Sequence, residues 1–194
     1  PLQSAPPEER VDAYAGRPVE ERVSALQALA AIGEQINRAT TLDAVLDAVV
    51  GGVHEALAAD TAMLLLLDDE DQTLRVLASR GVPVDETAAV RIPLGVGIAG
   101  RIAARRESMV VPDVAAAQPA TPWLAREVAA LAGVPLVMQD TVLGVLHVGS
   151  RRPREFAAED VTLLQLVAAR AASAVVRARL YEAERAARRR AELL

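Results

Sequence analysis

The sequence predicts an α+β domain in which a sheet of hairpin-connected strands is covered by helices on both faces and bracketed by long helices at its two ends. Three observations carry this prediction. Two pairs of short apolar runs, at 61–67 with 73–79 and at 134–138 with 142–149, are each joined by a tight polar turn. The run at 61–67, Thr-Ala-Met-Leu-Leu-Leu-Leu, is apolar on both faces, as a central strand covered front and back must be. Helical periodicity occupies both ends of the chain.

Residues 1–17 carry Pro1, Pro6, Pro7 and several charges without a period, and read as a flexible leader. Pro18 suits the first turn of a helix, and Val23, Leu26, Leu29, Ala30 and Ile32 continue at helical spacing to about residue 38. Thr41 then caps a second helix, with Leu42, Val45, Leu46, Val49, Val53 and Leu57 on one stripe. Its interior pair Gly51 and Gly52 sacrifices about 1 kcal/mol each relative to alanine, so close packing against a neighbour is the expected compensation.

The first hairpin turns on the acidic residues 68–71, and its second strand alternates with Leu74, Val76 and Ala78 on one side. A third strand is expected at 90–94, where Pro93 suits an edge or a strand end. A glycine turn, a short helix at 98–106 and a fourth strand at 109–111 follow. After a loop at 113–121, residues 122–131 read as another short helix ended by Gly133. The second hairpin turns at Gln139, Asp140 and Thr141. From 157 to 194 the pattern is helical, with Leu164, Ala168, Ala171, Val175 and Ala178 spaced alternately by four and three. At 1.5 Å per residue these 38 residues make a rod of roughly 57 Å, which must project beyond the domain.

Composition narrows the function. With 52% apolar but only 2% aromatic residues, one domain buries an aliphatic core in which Trp123, Phe156, Tyr14 and Tyr181 are isolated rings. The net charge of −5 gives no general attraction to nucleic acid or anionic membranes, so no nucleic-acid partner is expected. The absence of cysteine excludes disulfides, zinc–thiolate sites, thiol nucleophiles and thioether-linked chromophores. No uninterrupted apolar run approaches the ~20 residues of a membrane span and no signal peptide opens the chain, which predicts a cytoplasmic protein. A first residue that is proline and a last residue in mid-helix suggest a piece of a longer protein.

Gly95, Gly97 and Gly100, within RIPLGVGIAGRIAARRESMVVPD at 91–113, reproduce the spacing of a dinucleotide fingerprint. Such glycines let the backbone turn sharply into a helix whose free N–H groups can face a phosphate. The surroundings argue against that use: the fingerprint needs a long crossover to a parallel strand and an acid about 20 residues on for the ribose. Here the helix is short, and the first acid after the next apolar run is Asp113.

The order of elements, together with RIPLGVGIAGRIA at 91–103, VVPD at 110–113, GVPL at 133–136, GVLHVGS at 144–150 and PREFAAEDVTLLQLVAARAASAV ending at Val175, resembles the GAF domain family. The resemblance spans residues 23–181. It implies a central six-stranded antiparallel sheet with the terminal helices on one face and a pocket on the other, in a module for small-molecule sensing and dimerisation. It is similar to actinobacterial sensor regulators, in which such a domain precedes a PP2C-type phosphatase or a histidine kinase of a two-component system. The implied organisation is a leader at 1–17, the domain at 18–181 and a signalling helix extension at 182–194. Departures also inform. In place of the N-K…F…D-E pattern of cyclic-nucleotide GAF domains, the chain has Ser150 and Arg151, keeps Phe156 and Asp160, and has Val161 instead of the final glutamate. Bilin attachment and the methionine sulfoxide reductase activity known in the family both need cysteines, so no enzymatic activity is expected of the chain itself.

Six residues are candidates for the ligand site: Gly97, Ile98, Arg101, Asp113, Trp123 and His147. Gly97 and Ile98 open the short helix. Arg101 on that helix could meet an anionic group, although a solvated face shared with Arg105 and Arg106 accounts for it without a ligand. Asp113 could orient a ligand or cap a turn. Trp123 could stack on a ligand or belong to the core. His147 interrupts an apolar strand and could point into the pocket, hydrogen-bond within the core, or hold a haem iron; His54 reads as a boundary residue. No metal is required, and the cofactor and ligand are unidentified. The basic run Arg185, Arg188, Arg189 and Arg190 is balanced by Glu182, Glu184 and Glu192 on a solvated helix. A homodimer is expected through Val23, Leu26, Ala30, Leu164, Ala168, Ala171 and Val175 of the terminal helices. The alternatives are a ligand-free dimerisation spacer, a haem-based gas or redox sensor, and a nucleotide binder with a parallel sheet.

Overall fold

The computed structural model describes residues 19–192. The expected leader at 1–17 lies outside the described residues, as does the side chain of Val23. Helix α1 (Val19–Arg38) and helix α2 (Leu42–Ala56) form an antiparallel pair. Thr41 begins α2 as expected, its hydroxyl accepting from Ala44 N at 3.2 Å. The glycine pair divides. A side chain on Gly52 would run into Ile32 of α1, whereas one on Gly51 would meet open space, so close packing explains only the former.

Strands β1 (Thr61–Leu67), β2 (Thr73–Arg80), β3 (Ile92–Pro93), β4 (Met109–Val111), β5 (Ala130–Met138) and β6 (Thr141–Ser150) form one six-stranded sheet in the order β3-β2-β1-β6-β5-β4. Every pairing is antiparallel. This removes the dinucleotide-binding alternative: the strands flanking the glycine turn, β3 and β4, lie at opposite edges of the sheet with no parallel crossover between them.

All seven residues of β1 are buried, and their alternation sorts them into two cores. Ala62, Leu64 and Leu66 face α1, α2 and the terminal helix α5 (Ala158–Glu192), together with Leu146 and Val148 of β6. Met63, Leu65 and Leu67 face the opposite layer, made by α3 (Gly97–Arg105) and the short α4 (Pro122–Glu127), together with Val145. The all-apolar strand is thus covered on both sides by helices, as its sequence requires.

Three expectations need correction. The second short helix ends at Glu127, and residues predicted to continue it enter β5, where Gly133 pairs with His147 instead of stopping a helix. Alanine-rich Val-Ala-Ala-Leu-Ala favours helix locally, but pairing on both sides with β4 and β6 overrides propensity. The third strand contracts to two residues. Finally, Leu164, Ala168, Ala171 and Val175 are all buried against the sheet within the monomer, so they are not available to a partner.

Helix α5 has 35 residues and is roughly 52 Å long. By length and composition it could cross a membrane, but half of the apolar stretch is buried in the domain, as in a core helix. Beyond Ala178 its described side chains are exposed or half-buried, and this part projects as expected. Glu182, near the start of the projection, accepts from the backbone N–H of Leu42 at 3.3 Å.

Candidate ligand-binding site

The cavity lies between the sheet and the layer of α3 and α4. Its floor is Met63 and Leu65 of β1, Val76 of β2, Ile92 of β3 and His147 of β6; Ile98 and Ala99 of α3 and Trp123 and Leu124 of α4 cover it. Glu86, Thr87 and Val90 complete the wall from the loop between β2 and β3. The cavity is small: the centre of a water molecule can reach about 30 Å³, enough for a water or two.

Local chemistry builds the cover. Gly95 and Gly97 take positive φ angles of 82° and 63°, conformations open to glycine at little cost. A Cβ on Gly97 would also sit 2.8 Å from the backbone nitrogen of Ala120, so this glycine lets α3 start against the loop leading to α4. Arg101 ties the same loop down, its Nη2 donating to the Ala117 carbonyl at 2.7 Å while its Nε is buried without a partner. Asp113 accepts from Ala116 N at 3.1 Å and shapes the first turn of that loop. Thr121 caps α4 by accepting from Leu124 N at 3.4 Å, and Pro122 follows at the start of the helix.

Of the six candidate residues, Ile98, Trp123 and His147 therefore meet at the cavity, while Gly97, Arg101 and Asp113 hold the cover that closes it. The sequence did not single out Met63, Leu65, Val76, Thr87 or Ile92. For β1 the signal lay in its alternation: odd positions of the strand share the face of His147 through the Met63–His147 pairing.

His147 is the chemically distinctive wall. It is 3% exposed, its Nδ1 has no hydrogen-bond partner, and burial lowers its pKa to about 4, so the ring is neutral at pH 7. Thr61, diagonal to it on the same face, is fully buried with its hydroxyl likewise unpaired. Two glycines make room: Gly133 lies opposite His147 and Gly149 opposite Thr61. A haem does not fit this cavity, which is far smaller than a porphyrin, and no group of three acidic or histidine residues that could hold a metal occurs among the described residues.

The retained cyclic-nucleotide motif residues serve elsewhere. Asp160 accepts from Ala157 N at 3.0 Å at the start of α5 and pairs with Arg154 at 3.8 Å. The Arg154 guanidinium lies 4.6 Å from the centre of the Phe156 ring and donates to the Leu57 carbonyl at 2.8 Å. Ser150 and the Arg151 backbone are engaged with Asp60.

A pocketed antiparallel sheet with terminal helices stacked behind it is the architecture of a GAF-like α+β domain. The model of the GAF domain family matches residues 39–176, and the chain belongs to that family, whose members are sensory and ligand-binding modules. Among solved structures, the GAF domain of a phosphoenolpyruvate-protein phosphotransferase from Coxiella burnetii is 26% identical with a TM-score of 0.77, covering 83% of this chain and 98% of that one. The corresponding domain from Acinetobacter is 25% identical with a TM-score of 0.72, covering 80% and 94%. The free methionine-R-sulfoxide reductase of Neisseria meningitidis, solved with its substrate, shares the fold at 22% identity and a TM-score of 0.73, covering 86% and 96%. No curated protein matches the chain.

Proposed function

We propose that this chain is the small-molecule sensory and dimerisation domain of a cytoplasmic signal-transduction protein, with residues 182–194 leading to an effector such as a phosphatase or kinase domain. The observation that carries the reading is the cavity beneath Trp123, closed by α3 and α4 and floored by a buried, unsatisfied imidazole. Nothing in the chain supplies a thiol for the reductase chemistry of the Neisseria protein, which favours sensing over catalysis.

The dimer is supported by a different stripe from the one the sequence suggested. Leu166, Ala169, Ser173, Val176, Leu180 and Ala183 follow one another at steps of three and four along α5, on the side left exposed or half-buried by the sheet. Ser173 donates to the Ala169 carbonyl at 3.4 Å, so its hydroxyl is compatible with an apolar seam. A second copy pairing along this seam would carry changes in the cavity to the projecting end. To swing the paired helices from 1:99 to 99:1, a ligand must favour one packing by about 5.5 kcal/mol.

The small cavity volume favours a second reading, a ligand-free spacer whose pocket is filled by its own side chains. Sedimentation velocity and thermal-shift screening against small metabolites separate the two. A dimer stabilised by a metabolite is the expected result; a monomer at every concentration with no thermal shift would overturn the proposal.

A further inference from the structure

We propose that the cavity accepts a small uncharged molecule with a compact apolar body and one hydrogen-bonding group, which meets the imidazole of His147. This rests on the sensing function proposed above and adds the chemistry of what is sensed. The wall is largely apolar: Leu65, Ile92, Ile98 and Leu124 carry no side-chain hydrogen-bonding atom, and the Met63 thioether is only a weak acceptor. Of the polar wall residues, Thr87 already donates to the Val84 carbonyl at 3.0 Å, and Thr121 already accepts from Leu124 N. His147 retains unused capacity, for its Nδ1 is buried and unpaired.

Charge excludes much else. Among the described residues, the only ionisable side chain on the wall besides His147 is Glu86, which is exposed. A carboxylate or ammonium driven to the floor would lose its hydration and find no counter-charge. A neutral imidazole, in contrast, serves either as acceptor or as donor according to its tautomer, so a hydroxyl, a carbonyl or a ring N–H is received equally well.

Size sets the route. A dry engineered cavity that holds benzene measures about 150 Å³, whereas this one offers about 30 Å³. A ring-sized occupant therefore enters by displacing Trp123 with the six-residue α4, the least extensive part of the cover. Trp123 is the only tryptophan in the chain, and His147 is one of two histidines, so both partners of the occupant report on it directly.

The 194-residue chain is titrated with phenol, toluene and benzoate, with binding read by Trp123 fluorescence and by the imidazole ¹⁵N resonances, His54 serving as internal control. Phenol is expected to bind and to shift the nitrogens of His147 alone, with benzoate at least tenfold weaker. In His147→Leu the ratio of phenol to toluene affinity is expected to fall about tenfold, the share of one hydrogen bond. Should that variant not fold, the imidazole shifts of the wild type decide the matter. Benzoate binding as tightly as phenol, an unchanged ratio, or bound phenol that leaves His147 unmoved would overturn the assigned chemistry and leave sensing intact. Silence with all three probes would likewise overturn the assigned chemistry, while sensing itself stands or falls with the metabolite screen.

Discussion

His147 and Gly133 face each other across β6 and β5, and the imidazole occupies its place because residue 133 has no side chain. A Cβ there would lie 3.1 Å from Cβ of His147 and 2.6 Å from Cδ1 of Ile102. Gly133→Ala is accordingly expected to destabilise the domain by about 1–3 kcal/mol through overpacking, more than alanine returns by restricting the unfolded chain. Urea unfolding measures this, and an unchanged midpoint contradicts it.

The depressed pKa of His147 couples stability to pH. Above pH 6.5 the ring is neutral in both folded and unfolded chains and contributes no pH dependence. As pH falls from 6.5 towards about 4, the unfolded chain takes up a proton that the folded one refuses, so stability declines. The contribution reaches about 3 kcal/mol at pH 4. His147→Leu should flatten this part of the stability profile, and parallel profiles for the two proteins would show the assignment to be mistaken.

The turn between β5 and β6 is two residues long, from Met138 to Thr141, and Gln139 and Asp140 have φ angles of 46° and 66°. Left-handed conformations at both positions match the twist of a tight hairpin but suit glycine better than aspartate. Asp140→Gly should raise stability by about 0.5–1 kcal/mol, the conformational penalty less the entropy glycine adds to the unfolded chain. A lower melting temperature would count against this reading of the turn.

Leu180→Lys tests the outward seam of α5. Leu180 is exposed in the monomer, so the domain should keep its stability within about 0.5 kcal/mol. A charge placed on this apolar seam should weaken self-association at least tenfold by sedimentation. Association that survives the substitution would place the interface elsewhere.

Where side chains alternate or recur at a fixed step, the sequence was informative: the two hairpins, the doubly apolar β1 and the helical ends all follow from period and turn chemistry. It misled where one pattern has two readings. The alanine-rich segment before Gly133 satisfies a helix locally and a strand globally, and only its neighbours β4 and β6 decide. The same held for α5, in which Leu164, Ala168, Ala171 and Val175 keep a coiled-coil step yet serve the sheet, while the stripe through Leu166 and Leu180 was overlooked. At the cavity, Trp123 and His147 stood out as rare or interrupting residues, and Ile98 by its place at the start of the glycine-opened helix. Met63 and Leu65 could not, because nothing distinguishes them from their core-facing neighbours until β1 is paired in register with β6.

The outermost strands are also the shortest, two residues in β3 and three in β4. An unsatisfied strand border is a template on which a foreign chain can crystallise its own backbone. Here β3 pairs only with Thr73 and Leu74 of β2 and β4 only with Leu131 to Gly133 of β5, and Pro93 removes a donor from the first of these edges. Such short borders, one of them interrupted by proline, disfavour the addition of a foreign strand at β3 and β4.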